Sequence, residues 1–304
     1  MVGGIALSVR PSQTPMCLKS RHTRPGVHTA GPPEFGTVVA GWVNVASVTT
    51  FKNSPRRGPL TSADSPSLSA TRATRLERLH SARLYLCCDL QKFLATAPGQ
   101  DSVERLDADR LELFFRSAFR GGVDIIQVRD KKVSIRTELE ALRLLVRVAG
   151  QEGGLSAAND RADAALLARV DVFHVGQTDL TTHQARAVLG DDVLLGRSCH
   201  TRSQVLAASE DPGTDYYCTG PVWETPTKPG RPAVGLDLPA FAADLDPVCD
   251  TSSTPFFAIG GIDEETVSQV KAAGAGRIVV VRAIADAPAP ENAARRLADA
   301  LGAE

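Results

Sequence analysis

Between residues 127 and 261 the chain carries polar side chains whose types suit the handling of a multiply charged anion. Gln127, Arg129 and Lys131 alternate along Gln127-Val128-Arg129-Asp130-Lys131, so an extended backbone turns an amide and two cations to one side. Asp160, after Asn159, and Asp179 add two carboxylates, and Lys228 a third cation. Taken singly, Asp160 and Asp179 read as caps of the helices that follow them. Taken with Arg129, Lys131 and Lys228, they form a mixed-charge cluster that is costly unless a metal and an anion complete it. Mg²⁺ suits that set, because it binds through a few carboxylates plus phosphate oxygens and keeps its waters. Gly260-Gly261 is either a tight turn or a phosphate cradle, in which backbone N–H groups need an approach that side chains would block. His174 reads as a core histidine inside a strand. His200 stays open between base and bystander, and no Ser/His/Asp or Cys/His arrangement is supported by spacing.

These residues need a scaffold that brings distant segments to one rim. Eight short apolar runs alternate with helical periodicity: Arg83–Cys88, Val123–Val128, Leu155–Ala158, Val172–Val175, Val193–Gly196, Asp215–Cys218, Phe256–Ile259 and Arg277–Val281. Eight such units predict an α/β chain closed as a (β/α)8 TIM barrel, with the site in the loops at the C-terminal strand ends. Helical stripes support this. Leu111, Phe114, Phe115 and Ala118 share one face before the stop at Gly121-Gly122, and Asp263 is placed to cap a helix burying Val267 and Val270 and ending at Gly274. An open doubly wound sheet is the alternative, but no dinucleotide-type glycine fingerprint follows the first strand.

At 304 residues, with 43% hydrophobic and 23% charged positions, the chain can bury one full core. No apolar run is long enough to span a membrane, and the six cysteines show no C-x-x-C pair, which predicts a soluble protein of the reducing cytoplasm without zinc. The net charge of −1 hides an asymmetry. Residues 1–80 hold ten Lys/Arg against three Asp/Glu, a net +7 that leaves −8 for the remainder. Residues 1–80 are therefore expected to be a disordered basic extension or the product of a misassigned start, a targeting segment being the lesser alternative, and residues 81–304 the catalytic barrel. Neither nucleic acid nor membrane is expected as a partner, and homo-oligomerisation stays open.

From about Ala82 onward the chain resembles the thiamine-phosphate synthase (thiamine-phosphate pyrophosphorylase) family. The likeness is carried by Gly122-Val123-Asp124-Ile125-Ile126-Gln127-Val128-Arg129-Asp130-Lys131, Asn159-Asp160-Arg161, His174-Val175-Gly176-Gln177-Thr178-Asp179-Leu180, Gly220-Pro221-Val222-Trp223-Glu224-Thr225-Pro226-Thr227-Lys228 and Ala258-Ile259-Gly260-Gly261-Ile262. The resemblance implies a Mg²⁺-dependent transferase that joins hydroxymethylpyrimidine diphosphate to a thiazole phosphate, giving thiamine monophosphate and pyrophosphate. It implies that Gln127 binds the pyrimidine and that Arg129, Lys131, Asn159 and Lys228 bind the diphosphate. Asp160 and Asp179 would hold the metal and Ser198 line the site, while Thr225, Thr227, Gly261 and the Val281-Arg282 turn receive the thiazole phosphate. Arg282 departs from the small hydroxyl residue that many members carry there. A thiazole-tautomerase-like or regulatory barrel is one competing reading, against which Arg129, Lys131, Asp160, Asp179 and Lys228 together argue; a non-catalytic phosphate-binding module is another, to be distinguished by adding both substrates with Mg²⁺.

Overall fold

The computed structural model describes residues 71–95, 104–225, 230 and 232–302. Eight parallel strands close on themselves: β1 (Leu84–Cys88), then β4 (Ile125–Val128), β5 (Leu155–Asn159), β6 (Val172–Val175), β7 (Leu194–Cys199), β8 (Tyr216–Thr219), β9 (Phe256–Ile259) and β10 (Ile278–Val280), the last pairing back onto β1. After β1 a small antiparallel ribbon of β2 (Leu94–Ala95) and β3 (Arg105–Leu106) intervenes. All eight expected strands are present and the (β/α)8 barrel is the fold. The largest boundary difference is at β7, which continues through Arg197, Ser198 and Cys199 because the ladder with β8 pairs Ser198 with Cys218 and Cys199 with Thr219. Local polarity suggested a loop there; a neighbouring strand keeps the segment extended.

Ten helices accompany the strands among the described residues: α1 (Arg72–Ser81), α2 (Ala108–Arg120), α3 (Ile135–Glu152), α4 (Ala162–Ala168), α5 (Thr182–Leu189), α6 (Arg202–Glu210), α7 (Asp237–Leu245), α8 (Val267–Ala272), α9 (Arg282–Ala285) and α10 (Pro290–Gly302). In α2, Asp107 caps the first turn through Arg110 N–H at 3.1 Å, and Leu111, Phe114, Phe115, Ala118 and Phe119 bury the predicted face. Gly121 lets α10 close the ring tightly, since a Cβ there would lie 2.6 Å from that of Ala294. At α8, Val267 and Val270 are buried as expected, but Asp263 caps the preceding turn, accepting from the N–H groups of Glu265 and Thr266 at 3.1 and 3.0 Å.

Period two along the strands splits the core into two layers. Ile126, Val128, Ala158 and Phe173 face outward into the sheet–helix layer, while Tyr85, Ile125, Leu155, Val172, Tyr216 and Phe257 fill the barrel interior. Helix α1 joins that interior from the N-terminal side, with Leu79 fully buried and Leu76 packed beside it. Arg75 pairs with Asp171 at 2.8 Å and donates to Asp192 O at 2.8 Å, and Arg72 pairs with Asp215.

This corrects the boundary read from the sequence. Residues 72–80 form an ordered helix and belong to the barrel, because an amphipathic turn carrying two arginines can seal the open end of the sheet against Asp171 and Asp215. The rest of the expected basic extension, residues 1–70, lies outside the described residues.

Candidate active site

At the C-terminal strand ends the interior opens into a cavity of about 840 Å³. Gln127 at the end of β4 points inward and is 2% exposed, and Arg129 and Lys131 follow it at the cavity rim together with Asp130 and Lys132. Val128 between them is fully buried in the outer layer. Asn159 and Ser198 enter from β5 and β7, and Thr225, Gly261, Val281 and Arg282 complete the opposite wall. Thr227 and Lys228 lie outside the described residues.

Neither strand-end aspartate is a helix cap. Asp160 sits in left-handed backbone at φ 60°, and helix α4, which begins two residues later, has no side-chain cap. Its carboxylate pairs instead with the Lys131 ammonium at 2.8 Å. Asp179 folds back to accept the Gly176 N–H at 2.7 Å, while α5 is capped by Thr181 in a reciprocal box with Gln184. The two carboxylates face one another closely enough to share a hydrogen bond. Burial, and then the adjoining Asp179, hold Asp160 above the usual carboxylate range against the pull of Lys131. Asp179 is itself lowered: although burial works the other way, hydrogen bonds from Asp160 and Gly176 N–H and the charge of Lys131 prevail.

Two half-buried carboxylates in contact repel unless a proton or a cation lies between them. Among the described residues no three His, Cys, Asp or Glu side chains converge as a metal cluster. A divalent cation held here would therefore rest on two carboxylates and draw its other oxygens from ligand and water, a donor set that fits Mg²⁺.

The glycine pair has more than one cause. Gly260 and Gly261 adopt φ 110° and 68°, and the β8 loop lies across them, with Trp223 N–H donating to Gly260 O at 3.1 Å. A Cβ on Gly260 would sit 2.6 Å from Pro221 Cα, and one on Gly261 would sit 2.8 Å from Trp223 Cβ. The pair thus admits the loop that carries Thr225 as well as any ligand. His200 lines the cavity and donates from Nδ1 to Gly220 O at 2.5 Å, tying β7 to the same loop.

Residues 100–284 match the family model described as thiamine monophosphate synthase. The chain is 50% identical over 224 residues to the thiamine-phosphate synthase of Thermobifida fusca (strain YX), spanning 74% of this chain and 94% of that protein. The chain belongs to the thiamine monophosphate synthase family. A second relative within it, the thiamine-phosphate synthase of Acidothermus cellulolyticus, is 44% identical over 225 residues, or 74% of this chain and 97% of its own. The solved thiamine phosphate pyrophosphorylase from Pyrococcus furiosus shares the fold at a TM-score of 0.60 and 23% identity, covering 74% of this chain and 97% of that one.

Several side chains in or beneath the cavity of this family member were given no role in the site by the sequence. Tyr85, His174 and Tyr216 line it or lie just beneath it, and Gln177 donates to Ser198 O at 2.5 Å. His174 is a core histidine, as expected, but both ring nitrogens are engaged, with Tyr216 Oη at 3.0 Å and Ser198 Oγ at 2.9 Å. The available signal was positional: Tyr85 and Tyr216 fall on the inward parity of their strands, where a phenol brings a polar tip into an apolar interior. No helix of the described residues is long and apolar enough to cross a membrane.

Proposed function

We propose that this chain transfers the pyrimidinylmethyl group of hydroxymethylpyrimidine diphosphate to the ring nitrogen of a thiazole phosphate, giving thiamine monophosphate and pyrophosphate. The observation that carries the reading is the convergence of Arg129, Lys131, Asp160 and Asp179 on one rim of the cavity whose floor holds Gln127 and Ser198. Membership of the thiamine monophosphate synthase family supports it.

The chemistry asks for charge stabilisation. The methylene C–O bond breaks with its electron pair leaving on pyrophosphate, and the thiazole nitrogen lone pair forms the new C–N bond. That nitrogen has no proton to lose, so the step needs neither a strong base nor a protein nucleophile. It needs donors fixed where leaving-group charge develops.

Asp160 and Asp179 would hold Mg²⁺, which supplies positive charge to the diphosphate oxygens when bound. Arg129 enters into no ion pair among the described residues and is the side chain we assign first to the diphosphate. Lys131, shared with Asp160, and Asn159 and Lys228 would complete that shell. Gln127 would bind the pyrimidine and Ser198 line its pocket, while Thr225, Thr227, Gly261 and the Val281-Arg282 turn would receive the thiazole phosphate. Arg282 lines the cavity wall, where a guanidinium is a stronger phosphate donor than a hydroxyl.

The test is to incubate the full chain with both substrates and Mg²⁺ and to measure thiamine phosphate and pyrophosphate together. Equal amounts of the two products are expected. Binding of both substrates without either product would favour a non-catalytic phosphate-binding barrel.

A further inference from the structure

Barrel interiors are usually filled by branched aliphatic side chains. Here six polar side chains, none more than 8% exposed, run through the interior without a break. The Cys87 thiol donates to Gln127 Oε1 at 3.2 Å, and Gln127 Nε2 donates to Tyr85 Oη at 2.8 Å. The Tyr85 and Tyr216 hydroxyls lie 3.1 Å apart, Tyr216 Oη lies 3.0 Å from His174 Nδ1, and His174 Nε2 lies 2.9 Å from Ser198 Oγ. Gly196 makes the middle of the line feasible: a Cβ there would run into the Tyr216 ring. That ring is held edge-on to Phe257, with centroids 5.7 Å apart.

With the Gln127 amide nitrogen donating to Tyr85, only one direction gives every phenol proton an acceptor. An amide nitrogen only donates, and a phenol has a single proton to give. Tyr85 accepts from Gln127, so its proton goes to Tyr216, and the Tyr216 proton goes to His174 Nδ1. A neutral imidazole that accepts at Nδ1 carries its hydrogen on Nε2 and donates it to Ser198 Oγ. The Ser198 proton is then left to turn into the cavity. Burial holds both phenols well above their ordinary pKa, so each remains a donor.

We propose that Tyr85, Tyr216 and His174 are positioning residues forming a one-way hydrogen-bond chain that holds the Gln127 amide in one orientation and presents Ser198 to the substrate as a donor. The role in turnover rests on the function proposed above; the direction of the chain does not. Gln127 keeps one N–H and one Oε1 lone pair for the pyrimidine. By that assignment the two ends of the chain serve the same substrate.

The chain direction predicts unequal effects of two similar changes. Tyr216→Phe keeps the ring and removes the middle link, so it should lower kcat roughly tenfold or more, the loss of about one hydrogen bond to a reacting ligand. KM for the thiazole phosphate should not move. Tyr85→Phe leaves Tyr216, His174 and Ser198 linked, and should chiefly raise KM for the pyrimidine diphosphate. His174→Gln, whose amide N–H can stand in for Nε2–H, should retain more turnover than His174→Asn, whose shorter amide reaches only the Nδ1 position. Identical kinetic profiles for the two tyrosine variants, or a drop in Tm with no kinetic split, would overturn the proposal.

Nitrogen-15 NMR of the unaltered full chain without substrates reads the direction itself, whatever the variants do. The Nε2-protonated tautomer of His174 is expected, and the Nδ1-protonated one would sink the chain. Failure of the unaltered chain to make thiamine phosphate would instead sink the functional reading and leave the tautomer result standing.

Discussion

Asp179 turns its carboxylate onto the backbone N–H of Gly176, 2.7 Å away, and leaves the capping of α5 to Thr181. The metal role proposed for Asp179 and the stability of α5 thereby rest on two different residues. Asp179→Asn keeps an oxygen for the Gly176 N–H, so its Tm should stay within about 1 kcal/mol of the parent in stability, while product formation should require far more Mg²⁺. Thr181→Ala should lose about 1 kcal/mol of stability and leave the Mg²⁺ titration alone. Melts and Mg²⁺ titrations of both variants check this, and an unchanged titration for Asp179→Asn would remove that residue from the metal site.

Val128 ends β4 and Arg129 follows it, one fully buried against the helices and the other lining the cavity. Val128→Ala removes two methyl groups from close packing and should lose roughly 1–3 kcal/mol of stability with near-normal kinetics of the folded fraction. Arg129→Ala should melt like the parent and lose turnover, with the larger defect when the diphosphate substrate is varied. Thermal melts and two-substrate kinetics decide it, and a reversed pattern would place both side chains on the wrong faces.

Helix α1 seals the barrel interior through Leu79 and the Arg75–Asp171 pair, whose side chains are 6% and 17% exposed. Arg75→Ala leaves a partly buried carboxylate without its partner and should lose roughly 3 kcal/mol. A chain beginning at Thr71 should melt like the full chain, whereas one beginning at Ala82 should melt well below it. Equal Tm values for those two truncations would show that α1 contributes nothing to the barrel.

Glu138 lies in the first turn of α3, 6% exposed, where burial above all pushes its carboxyl from 4.5 up to about 7. Arg161 opposes that shift, while Asp163, Asp160 and Asp130 add to it. Its folded-state pKa exceeds the unfolded one, so the proton is bound more tightly in the fold. The associated stability is present in full below the unfolded value and is lost as pH rises through the folded one. Glu138→Gln, which mimics the protonated form, should therefore be more stable than the parent at pH 8, by on the order of 2 kcal/mol. The gap should close toward pH 5. A gap that is constant over that range in paired urea titrations would show that the carboxyl does not titrate there.

Much of this protein was legible in its residues taken in order. Strand periodicity placed all eight barrel strands, and alternation within β4 turned Gln127 inward and Val128 outward because the period of an extended chain is two wherever it occurs. The Leu111–Ala118 stripe and the Gly121-Gly122 stop defined α2 for the equally local reason that a helix repeats every 3.6 residues.

What the tertiary structure decided is everything that depends on which strands become neighbours. Composition put residues 72–80 with the basic extension, yet Arg72 and Arg75 find Asp215 and Asp171 only when the barrel has closed. Whether Asp179 caps a helix or faces Asp160 turns on the fold of one loop against Gly176. The line from Gln127 through Tyr85, Tyr216 and His174 to Ser198 joins five separate strands with a tyrosine ring that crosses the interior. No spacing in the sequence encodes it, because hydrogen bonds between side chains 24 to 131 residues apart are set by barrel closure and by the room that Gly196 leaves for Tyr216.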